Sequence, residues 1–434
     1  MSVLPHLMLI IEAESENKSR SEPMQVIHER CAALDVHKKT VVTTMMLTQA
    51  DGSVQEYTRT FLTMTADLLA LDDWLDSHEI KVIAMESTGV FWRPVFNVLE
   101  EGRQVILVNA QHMKAVPGRK TDVKDSQWLA DLLRHGLLKA SFIPPKPVRE
   151  LRDLMRYRKT IVQERADEVN RLQKVLETAN IKLASVATDV LGKSGRSMLD
   201  AMLGGQDDAE VLAELARGRL RAKLADLRKA LDGRVQPHHR VLLTRILAHI
   251  DFLEESLAQL QAEMEQYLHP FEEAMQLAQS MVGIDETAAA SILAEIGTDM
   301  TRFASDKHLA SWAGVCPGNK QSGGKRLSGK TTKGNPYLRA ILFEVAWAIA
   351  HTKDNYWSAF YHRMARRHGK KKAIMALAHK VLVILYHILR TKKPYTDLGA
   401  DYFDQRDRER IERHHIHRLE QLGYTVTLAP KEAA

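Results

Sequence analysis

The chain contains little cysteine, with two residues, Cys31 and Cys316, among 434. Two cysteines so far apart provide neither a disulfide framework nor the paired spacing of a zinc site. This scarcity excludes the small disulfide-rich secreted proteins and favours a reducing, cytoplasmic location. The sequence also lacks the roughly 18 consecutive apolar residues of a membrane-spanning helix, so no membrane partner is expected.

The first residues lack the features of a signal peptide. The opening MSVLPHLMLIIEAESENKSRS has a short apolar run, but no basic stretch precedes it and acidic residues follow at once. Residues 1–28 are therefore predicted to form a disordered leader; alternatively, translation starts at Met24 and the sequence begins upstream of it.

Acidic residues do not balance the basic ones. The chain carries 61 Lys and Arg against 55 Asp and Glu, which gives a net charge of +6 and a pI near 9.1. A basic balance favours a polyanionic partner such as nucleic acid without requiring one. With 45% hydrophobic residues, the chain has ample material for buried cores. Its length predicts roughly three domains.

Residues 29–145 have the pattern of a mixed α/β domain. The strand-like runs CAALDV, VVTTMML and VQEYTRTF occur in succession, and the Asp51-Gly52 pair before the third run is a hairpin signal. A helix around 66–78 follows, then the buried strand KVIAME, the helix VFWRPVFNVLEEG and the strand QVILV. Three hairpin-linked strands followed by alternating helices and strands predict a ribonuclease-H-like sheet.

The prolines of SFIPPKPVRE mark a boundary, since proline removes a backbone donor and disfavours helix in the preceding residue. Residues 146–270 beyond it are predicted to be helical. Their second half contains a heptad seam of apolar residues, formed by Ile246, Ile250, Leu253, Leu257, Leu260, Met264 and Tyr267. Such a coiled-coil seam can join two helices of one chain or two chains, and the pattern leaves both open.

Residues 271–395 have the pattern of a mainly helical domain. The segment MVGIDETAAASILAEIG resembles a helix-hairpin-helix, an element that binds DNA phosphates through the backbone amides of a tight glycine turn. Asp285 stands where the second glycine of that turn usually lies, so a purely structural helical hairpin is an equal alternative. Apolar helices are predicted around 337–350 and 371–389, and residues 396–434 form a polar tail.

Four acidic residues of the α/β domain are candidates for a metal site. Asp35 interrupts the first strand, Glu86 ends the run KVIAME, and Asp122 and Asp125 share one face of a helix predicted in KTDVKDSQWLADLL. Buried acids are unfavourable unless they are paired or bound to a cation. Carboxylates suit Mg²⁺ or Mn²⁺, which can support phosphodiester cleavage. Each acid alone could instead cap a helix or pair with a lysine.

A cationic loop between residues 318 and 339 contains no acidic residue. Its composition is typical of a phosphate-binding site. Ser322 is followed by Gly323 and Gly324, which leave room for a phosphate to approach the hydroxyl. Serine beside glycine is otherwise ordinary loop material. The predicted nucleic-acid-binding residues of the loop are Lys320, Lys325, Arg326, Lys330, Lys333 and Arg339.

Residues 324–331 also match the nucleotide-binding pattern GxxxxGKT. That pattern functions only after a strand and at the start of a helix. No hydrophobic strand precedes it, and Gly334 with Pro336 would interrupt a helix soon after it. Nucleotide binding is therefore not expected.

Several segments together resemble the DEDD transposases of the IS110 family of insertion sequences, which includes bridge-RNA-guided recombinases. They are LDVHKKT, MESTGVFW, KTDVKDSQWLADLL, GIDETAAASILAEIG, WAGVCPGNKQSGGKR and TTKGNPYLR. The resemblance covers nearly all of residues 31–390. It implies a RuvC-like domain, whose metal ligands map onto the four acids named above, and a C-terminal transposase domain, whose catalytic serine maps onto Ser322.

The resemblance also implies a mechanism and partners. Serine attacks DNA with metal assistance, which leaves a covalent phosphoserine linkage and a free 3′-hydroxyl for strand exchange. An RNA encoded by the element selects the donor and target DNA. Protomers joined by the coiled coil, as a dimer or tetramer, would combine one chain's carboxylates with another chain's serine. Two other functions stay open, a hydrolytic RuvC-like nuclease acting on branched DNA and an inactive nucleic-acid-binding protein.

A second basic segment, HRMARRHGKKK, is a candidate surface for this RNA or for DNA. Contacts from its side chains to phosphates would carry no sequence information. Base pairing would then determine sequence choice. The predicted contacts are Arg363, Arg366, Arg367, Lys370, Lys371 and Lys372.

Overall fold

The computed structural model describes residues 25–86, 89–109, 125–318 and 320–427, without the side chains of Lys320, Arg326 and Ile411. The chain divides into two compact units, residues 1–143 and 144–434. This division falls within the proline-rich segment that marks a predicted boundary. The predicted leader lies almost entirely outside the described residues. The predicted boundaries after residues 270 and 395 stay predictions.

The first unit is built on a five-stranded mixed sheet. Its strands, in chain order, are β1 (Arg30–Val36), β2 (Thr40–Thr48), β3 (Val54–Leu62), β4 (Val82–Glu86) and β5 (Gln104–Val108). The order across the sheet is β3-β2-β1-β4-β5. The first three strands are antiparallel neighbours, whereas β1, β4 and β5 run parallel. The predicted mixed α/β sheet is therefore confirmed.

The predicted hairpin between β2 and β3 turns at Asp51 and Gly52. The Asp51 carboxylate accepts a hydrogen bond from the Ser53 amide at 2.9 Å, and Gly52 has a φ of +84°. A left-handed residue in a tight turn favours glycine, which has no Cβ to clash with the backbone. Local turn chemistry alone was sufficient to predict this connection.

The alternation of side chains gives the sheet two buried faces. On one face, a core cluster that includes Leu34 packs against α1 (Thr65–Asp76) and α2 (Trp92–Leu99). On the other face, a cluster that includes Ala33 packs against α3 (Asp125–Arg134). Helices thus cover both sides of the sheet, and the second face carries the candidate site.

The second unit begins with a helical region. Its helices are α4 (Lys146–Thr178), α5 (Leu183–Val186), α6 (Lys193–Leu203), α7 (Ala209–Glu214), a 3₁₀ helix (Gly218–Lys223), α8 (Leu224–Leu231) and α9 (Pro237–Leu268). Proline lies in the first turn of both long helices, where its missing amide is not needed. The shorter helices form a separate core with the ends of α4 and α9.

The predicted heptad seam packs α9 against α4 of the same chain. Ile250, Leu253, Leu260 and Met264 are buried, whereas Ile246 and Leu257 are half-buried and Tyr267 is exposed. The Arg165 guanidinium bridges the pair by donating to the Glu254 carboxylate at 2.8 Å. The structure thus uses the seam within one chain, which is one of the two alternatives left open by the heptad pattern.

The remainder of the second unit is mainly helical, as predicted. Its elements are a 3₁₀ helix (His269–Phe271), α10 (Glu272–Gln279), α11 (Glu286–Ile296), a 3₁₀ helix (Met300–Arg302), α12 (Asp306–Trp312), β6 (Lys320–Ser322), β7 (Lys325–Ser328), α13 (Pro336–His351), α14 (Tyr356–His368), α15 (Lys370–Thr391), α16 (Tyr402–Arg406) and α17 (Arg408–Gln421). Helix α15 is long and apolar enough to cross a membrane by length and composition, but 56% of its apolar window is buried inside the fold. It packs against α12, α13 and α14 in the manner of a core helix.

Candidate active site

Asp35 and Glu86 lie at the carboxyl ends of neighbouring parallel strands. β1 and β4 are in register through Leu34 and Met85, so the next residues are Asp35 on one strand and Glu86 on the other. Because side chains alternate along a strand, both acids point to the face opposite Leu34 and Met85. Main-chain pairing therefore places two of the predicted carboxylates side by side at one edge of the sheet.

Helix α3 covers this same face of the sheet. Ala33 on β1 and Leu129 on the helix belong to one buried cluster. At the first turn of the helix, the Ser126 hydroxyl lies 2.8 Å from the Thr44 hydroxyl on β2, which fixes the helix start on the sheet. Asp125 is the first residue of α3. A third predicted carboxylate therefore begins a helix that packs on the face carrying the other two.

Toward the start of β1, away from the acids, the same face of the sheet is apolar. The Cys31 thiol is fully buried, and its Sγ lies 3.8 Å from the carbonyl oxygen of Ala130. Burial raises the pKa of the Cys31 thiol to about 12. The Asp35 side chain, four residues further along β1, retains 22% exposure. A carboxylate at the rim of an apolar face has fewer competing water contacts, which strengthens its attraction for a cation.

His37 is a neighbour of the site that the sequence analysis missed. Its Nε2 lies 3.1 Å from Oδ2 of Asp35, and its side chain is 57% exposed. The two residues are two positions apart in the sequence, and side chains at positions i and i+2 of an extended chain share one face. This spacing in LDVHKKT is the signal that could have identified it. The imidazole can donate a hydrogen bond that orients the carboxylate.

Asp122 lies outside the described residues, with the rest of 110–124. The prediction that Asp122 and Asp125 share a helical face therefore stays a prediction. Within the described ranges, no three His, Cys, Asp or Glu side chains come together closely enough to hold a metal ion. The donor chemistry nevertheless fits a hard cation, because the predicted ligands on this face are carboxylates.

Ser322 lies in the second unit, at the tip of a β-hairpin. β6 and β7 are antiparallel, Ser322 pairs with Lys325, and Gly323 and Gly324 form the turn with φ values of +56° and +75°. Positive φ at both central residues fits a type I′ turn, which glycine adopts without strain. Ser322 is exposed. A segment expected to be a loop is thus a short hairpin, and the Gly-Gly pair was the signal for it.

Close backbone contacts hold the base of the hairpin. The Gly318 amide donates to the Lys330 carbonyl oxygen at 2.8 Å. Further from the tip, Gly314 and Gly334 approach so closely that a Cβ on Gly334 would lie 2.2 Å from the Gly314 amide nitrogen. A side chain at this position would force the two segments apart. The exposed tip therefore extends from a tightly packed base.

The nucleotide-binding pattern of residues 324–331 has the wrong geometry for that function. Gly324 lies in the hairpin turn, Lys330 and Thr331 lie on the returning segment, and the next helix begins at Pro336. A phosphate-binding P-loop requires a helix that starts at the lysine. The structure thus agrees with the expectation that this match is fortuitous.

Cationic side chains surround the hairpin. Arg339 is half-buried, with its guanidinium carbon 5.5 Å from the ring centre of Phe343. The side chains of Lys320 and Arg326 lie outside the described residues. The exposed cations are Lys325, Lys330 and Lys333. Lysines at an exposed hairpin can reach the phosphates of a nucleic acid without breaking packing contacts.

The second basic segment has two kinds of residue. Arg366, Arg367 and the lysines at 370–372 are exposed at the junction of α14 and α15. Arg363 instead donates to the Asp407 carboxylate at 2.5 Å and lies 5.2 Å from the ring centre of Phe403. Its hydrogen bond lowers the pKa of Asp407. Arg363, predicted as a phosphate contact, thus ties the C-terminal helices to α14.

The helix-hairpin-helix-like segment, residues 281–297, contains the turn that follows α10 together with α11. Gly283 has a φ of +83°, and a Cβ there would lie 2.5 Å from Ile349. Asp285 caps α11 by accepting a hydrogen bond from the Ala288 amide at 2.8 Å. A carboxylate at the helix start occupies an amide that would otherwise bind phosphate, and it repels anions. The geometry favours the structural alternative over direct phosphate binding.

Comparison with known proteins finds relatives for both units. Residues 32–181 match the family model DEDD_Tnp_IS110, described as a transposase. Residues 275–362 match a model described as the transposase IS116/IS110/IS902 family. The first match contains all four predicted carboxylates, and the second contains Ser322.

Individual relatives include proteins of insertion elements. A pilin gene-inverting protein of Moraxella bovis is 34% identical over 116 residues, 26% of this chain and 36% of that protein. An uncharacterized 42 kDa protein of insertion element IS900 from Mycobacterium paratuberculosis is 25% identical over 330 residues, 67% of this chain and 80% of that protein. A mini-circle putative transposase for IS117 from Streptomyces coelicolor is 31% identical over 124 residues, 28% of this chain and 29% of that protein. The chain thus spans about a third of the length of the pilin gene-inverting relatives that it matches.

Proposed function

The chain belongs to the IS110 family of transposases, and from this premise we propose that it breaks and rejoins DNA as the transposase of an insertion sequence. The observation that carries the proposal is the shared edge of the sheet. Asp35 is the second-last residue of β1, Glu86 is the last residue of its parallel neighbour β4, and the helix that begins at Asp125 packs on the same face. Such an edge can present several carboxylates to one DNA phosphate.

We assign the first unit to the RuvC-like class. The strand order β3-β2-β1-β4-β5, with three antiparallel strands followed by two parallel ones, supports this assignment. Helices on both faces support it as well. In this arrangement the central strand β1 carries the first acid and its parallel neighbour β4 carries the second.

The proposed metal ligands are Asp35, Glu86, Asp122 and Asp125, and the proposed metal is Mg²⁺ or Mn²⁺. When bound, such ions neutralise charge at the scissile phosphate and lower the barrier to displacement. The chain's own contribution is to hold mutually repelling carboxylates in place. Strand pairing does this for two of them, and the contact between the first turn of α3 and β2 does it for the helix of a third.

Ser322 is the proposed nucleophile. Its oxygen forms a bond to phosphorus while the bond from phosphorus to the 3′-oxygen breaks, and the serine proton is transferred, in net terms, to the departing 3′-hydroxyl. Rejoining reverses these bonds with a different 3′-hydroxyl. The phosphoserine ester conserves the energy of the broken bond, whereas hydrolysis would not. The exposed tip, the two-glycine turn and nearby lysines suit this role.

Nucleic-acid binding is assigned to the cations of the hairpin and of the α14–α15 junction. The proposed contacts at the hairpin are Lys320, Lys325, Arg326, Lys330, Lys333 and Arg339. We further propose, chiefly from the family, that a guide RNA selects the DNA. Phosphate contacts of these residues would position either nucleic acid without reading its sequence.

We also propose that the protein acts in the cytoplasm as a dimer or tetramer, with one chain's carboxylates serving another chain's serine. The solvent side of α9 supplies apolar surface for self-association. Val241 is 62% exposed, Leu242 47% and Phe252 63%. We assign these exposed apolar side chains to the interface between chains.

Covalent capture of DNA tests the serine mechanism. The unmodified protein, Ser322→Ala and Asp122→Asn are each incubated with copurified RNA and with labelled DNA carrying the ends of the element. The reactions are then denatured and examined for protein-linked strands. We expect an adduct with the unmodified protein alone, because both the nucleophile and the metal ligands are required.

Two results would contradict the proposal. An adduct in Ser322→Ala would move the nucleophile to another residue, such as Ser328. Clean cutting without an adduct in any sample would favour a hydrolytic nuclease, in which water attacks and Ser322 only lines a basic hairpin. Normal recombination by RNA-free protein would remove the guide RNA from the proposal.

A further inference from the structure

Glu295, in the last turn of α11, is a buried carboxylate of the second unit. Its side chain is 4% exposed. The Arg156 guanidinium on α4 donates to both of its oxygens, at 2.8 Å and 2.9 Å. Arg152, one turn earlier, donates to the backbone carbonyl of the same residue at 2.7 Å. A buried charge so fully paired is costly to disturb, because removal of one partner leaves the other uncompensated.

One oxygen of Glu295 also receives a hydrogen bond from outside this arginine pair. The side-chain amide of Asn335 donates to Oε2 at 2.6 Å. The other end of the Asn335 side chain caps α13, where Oδ1 accepts from the amides of Tyr337 and Leu338 at 3.0 Å and 3.1 Å. Both polar atoms of the asparagine side chain therefore form hydrogen bonds, and these bonds fix its orientation. Glu295 determines which way the amide faces.

Asn335 ends the segment that returns from the Ser322 hairpin. It directly follows Gly334, which packs against Gly314 at the base of the hairpin. The backbone amide of Asn335 also donates to the carbonyl oxygen of Trp312 at 3.2 Å. Trp312 is the last residue of α12, the helix that leads into the hairpin. The outgoing and returning segments are therefore joined at Asn335, and Asn335 is held by Glu295.

We propose that Glu295 is a positioning residue for the serine hairpin, which acts by clamping Asn335 between α4, α11 and the start of α13. The carboxylate is only 4% exposed, so we assign it no contact with DNA or with the reacting atoms. Its role is to fix the base from which Ser322 extends, so that the hydroxyl has a defined position. The activity part of this inference rests on the proposed role of Ser322.

The hydrogen-bond polarity of the pair can be reversed without changing its charge. Glu295→Gln places an NH₂ group against a donor, either Asn335 or Arg156. Asn335→Asp keeps the helix cap but places one carboxylate against another. In the double substitution, the introduced amide donates to the introduced carboxylate, whose second oxygen still caps α13. The oxygen of the introduced amide still accepts from Arg156 Nε, whereas Arg156 Nη2 loses its acceptor, so the rescue is partial. One negative charge then remains beside the two arginines.

The experiment compares both single substitutions and the double substitution in the full-length protein. The first readout is hydrogen exchange of the backbone amides of Gly318, Tyr337 and Leu338, which needs no DNA. The second is the rate of adduct formation on labelled DNA, measured beside DNA affinity. The control is Glu168→Gln. Glu168 is an equally buried acid on α4, paired with Arg171 and His249 and remote in sequence from the hairpin.

Each single substitution is expected to accelerate exchange at the three amides by about tenfold. Each should also slow adduct formation by about tenfold to a hundredfold at unchanged DNA affinity, since a displaced nucleophile loses its alignment. The double substitution should recover about tenfold of that loss. Glu168→Gln should lower the melting temperature and leave both readouts unchanged.

The inference is overturned if the single substitutions only lower the melting temperature, as the control does, or if the double substitution is as defective as the singles. Should the unmodified protein form no adduct, the proposed serine mechanism fails by itself. Hydrogen exchange still decides the role of Glu295 in that case. Unchanged exchange would reject the clamp, and faster exchange restored by the double substitution would support it.

Discussion

The two sets of residues assigned to DNA chemistry are held in opposite ways. In the first unit, Asp35 and Glu86 directly follow Leu34 and Met85, both of which are fully buried in the sheet core. In the second unit, Ser322 stands at an exposed turn, and strands of three and four residues support it. The hydrophobic core of the sheet thus holds the carboxylates in position. The position of the serine depends instead on backbone hydrogen bonds of the hairpin and on the contact proposed to hold its base, between Glu295 and Asn335.

The difference fits the chemistry proposed for each set. Carboxylates that share a cation repel one another when it is absent, so a rigid scaffold is needed to keep them together. A nucleophile that attacks a phosphate in a bulky duplex needs access more than burial. A two-glycine turn provides that access at the expense of local stability.

The largest expected effect concerns the carboxylates. Asp35→Asn or Glu86→Gln should reduce DNA breakage by about a thousandfold, roughly 4 kcal/mol of transition-state stabilisation. The fold should survive, because each change removes charge repulsion rather than packing. Single-turnover cleavage with Mg²⁺ measures the rate, and melting curves measure the fold.

Ser322→Ala is the matched control for the metal site. Mg²⁺ should raise the melting temperature of the unmodified protein and of Ser322→Ala alike, because a ligand that binds the native state stabilises it. It should not stabilise the carboxylate variants. Full DNA breakage in excess chelator would remove the metal from the proposal altogether.

The next largest effect is expected on the free energy of unfolding, and it should differ between two adjacent residues of α9. Leu253 is 3% exposed and faces α4, whereas Phe252 is 63% exposed. Leu253→Asp should reduce the free energy of unfolding by about 3 kcal/mol, since it buries a charge and removes core contacts. Phe252→Asp should change it by less than about 0.5 kcal/mol but weaken self-association. Urea denaturation and light scattering measure the two effects.

Light scattering also tests whether there is an oligomer to weaken. A monomer in the unmodified protein, both alone and with nucleic acid, would contradict the proposed assembly. Dissociation by Leu253→Asp at unchanged unfolding free energy would show instead that the seam joins two chains. Comparison of the Phe252 and Leu253 variants therefore tests whether the heptad seam packs within one chain or between two chains.

The sheet and its acids could largely be predicted from local patterns. Strand-like runs and the Asp51-Gly52 turn predicted the first three strands, and Glu86 at the end of a buried run predicted an acid at the end of a strand. These signals are local, because burial and turn chemistry act on neighbouring residues. The pairing of β1 with β4 brings Asp35 and Glu86 together. The ribonuclease-H-like order of strands and helices had already suggested that these two acids lie close to each other.

Most of the remaining features depend on contacts that no local pattern contains, although the Gly323-Gly324 pair was a local signal for the turn between β6 and β7. The heptad pattern on α9 is the same whether α4 or a second chain packs on it, so the sequence around Leu253 could not show which helix is its packing partner. β6 and β7 are polar and very short, so periodicity could not reveal them. The link between Glu295 and Asn335 spans 40 residues and joins a helix end to a helix cap. Tertiary geometry alone produces that contact.

A smaller effect is expected from the cations beside the serine. Replacing Lys330 and Lys333 together with Ala should weaken DNA binding by about tenfold and lower the salt dependence by roughly one unit per lysine. The rate of adduct formation at saturating DNA should change little. Binding titrations at several salt concentrations measure both quantities. Lys229→Ala, exposed on α8, is the control, and an equal effect there would mean nonspecific loss of charge.

The smallest effect is expected at His37, the neighbour of Asp35 that touches the carboxylate but is more than half exposed. His37→Ala removes the 3.1 Å contact between Nε2 and Oδ2, so Asp35 loses an orienting neighbour but keeps its place on β1. Because water can replace an exposed donor, the rate of DNA breakage should fall by only about threefold. Higher Mg²⁺ should restore it, while His37→Gln, which retains a donor, should be nearly unaffected. Cleavage measured across a Mg²⁺ titration tests this, with exposed Lys38→Ala as the control. A loss as large as that of Asp35→Asn, and not restored by Mg²⁺, would make the imidazole a ligand itself. The metal site would then contain nitrogen, and its preference for a hard cation would have to be reconsidered.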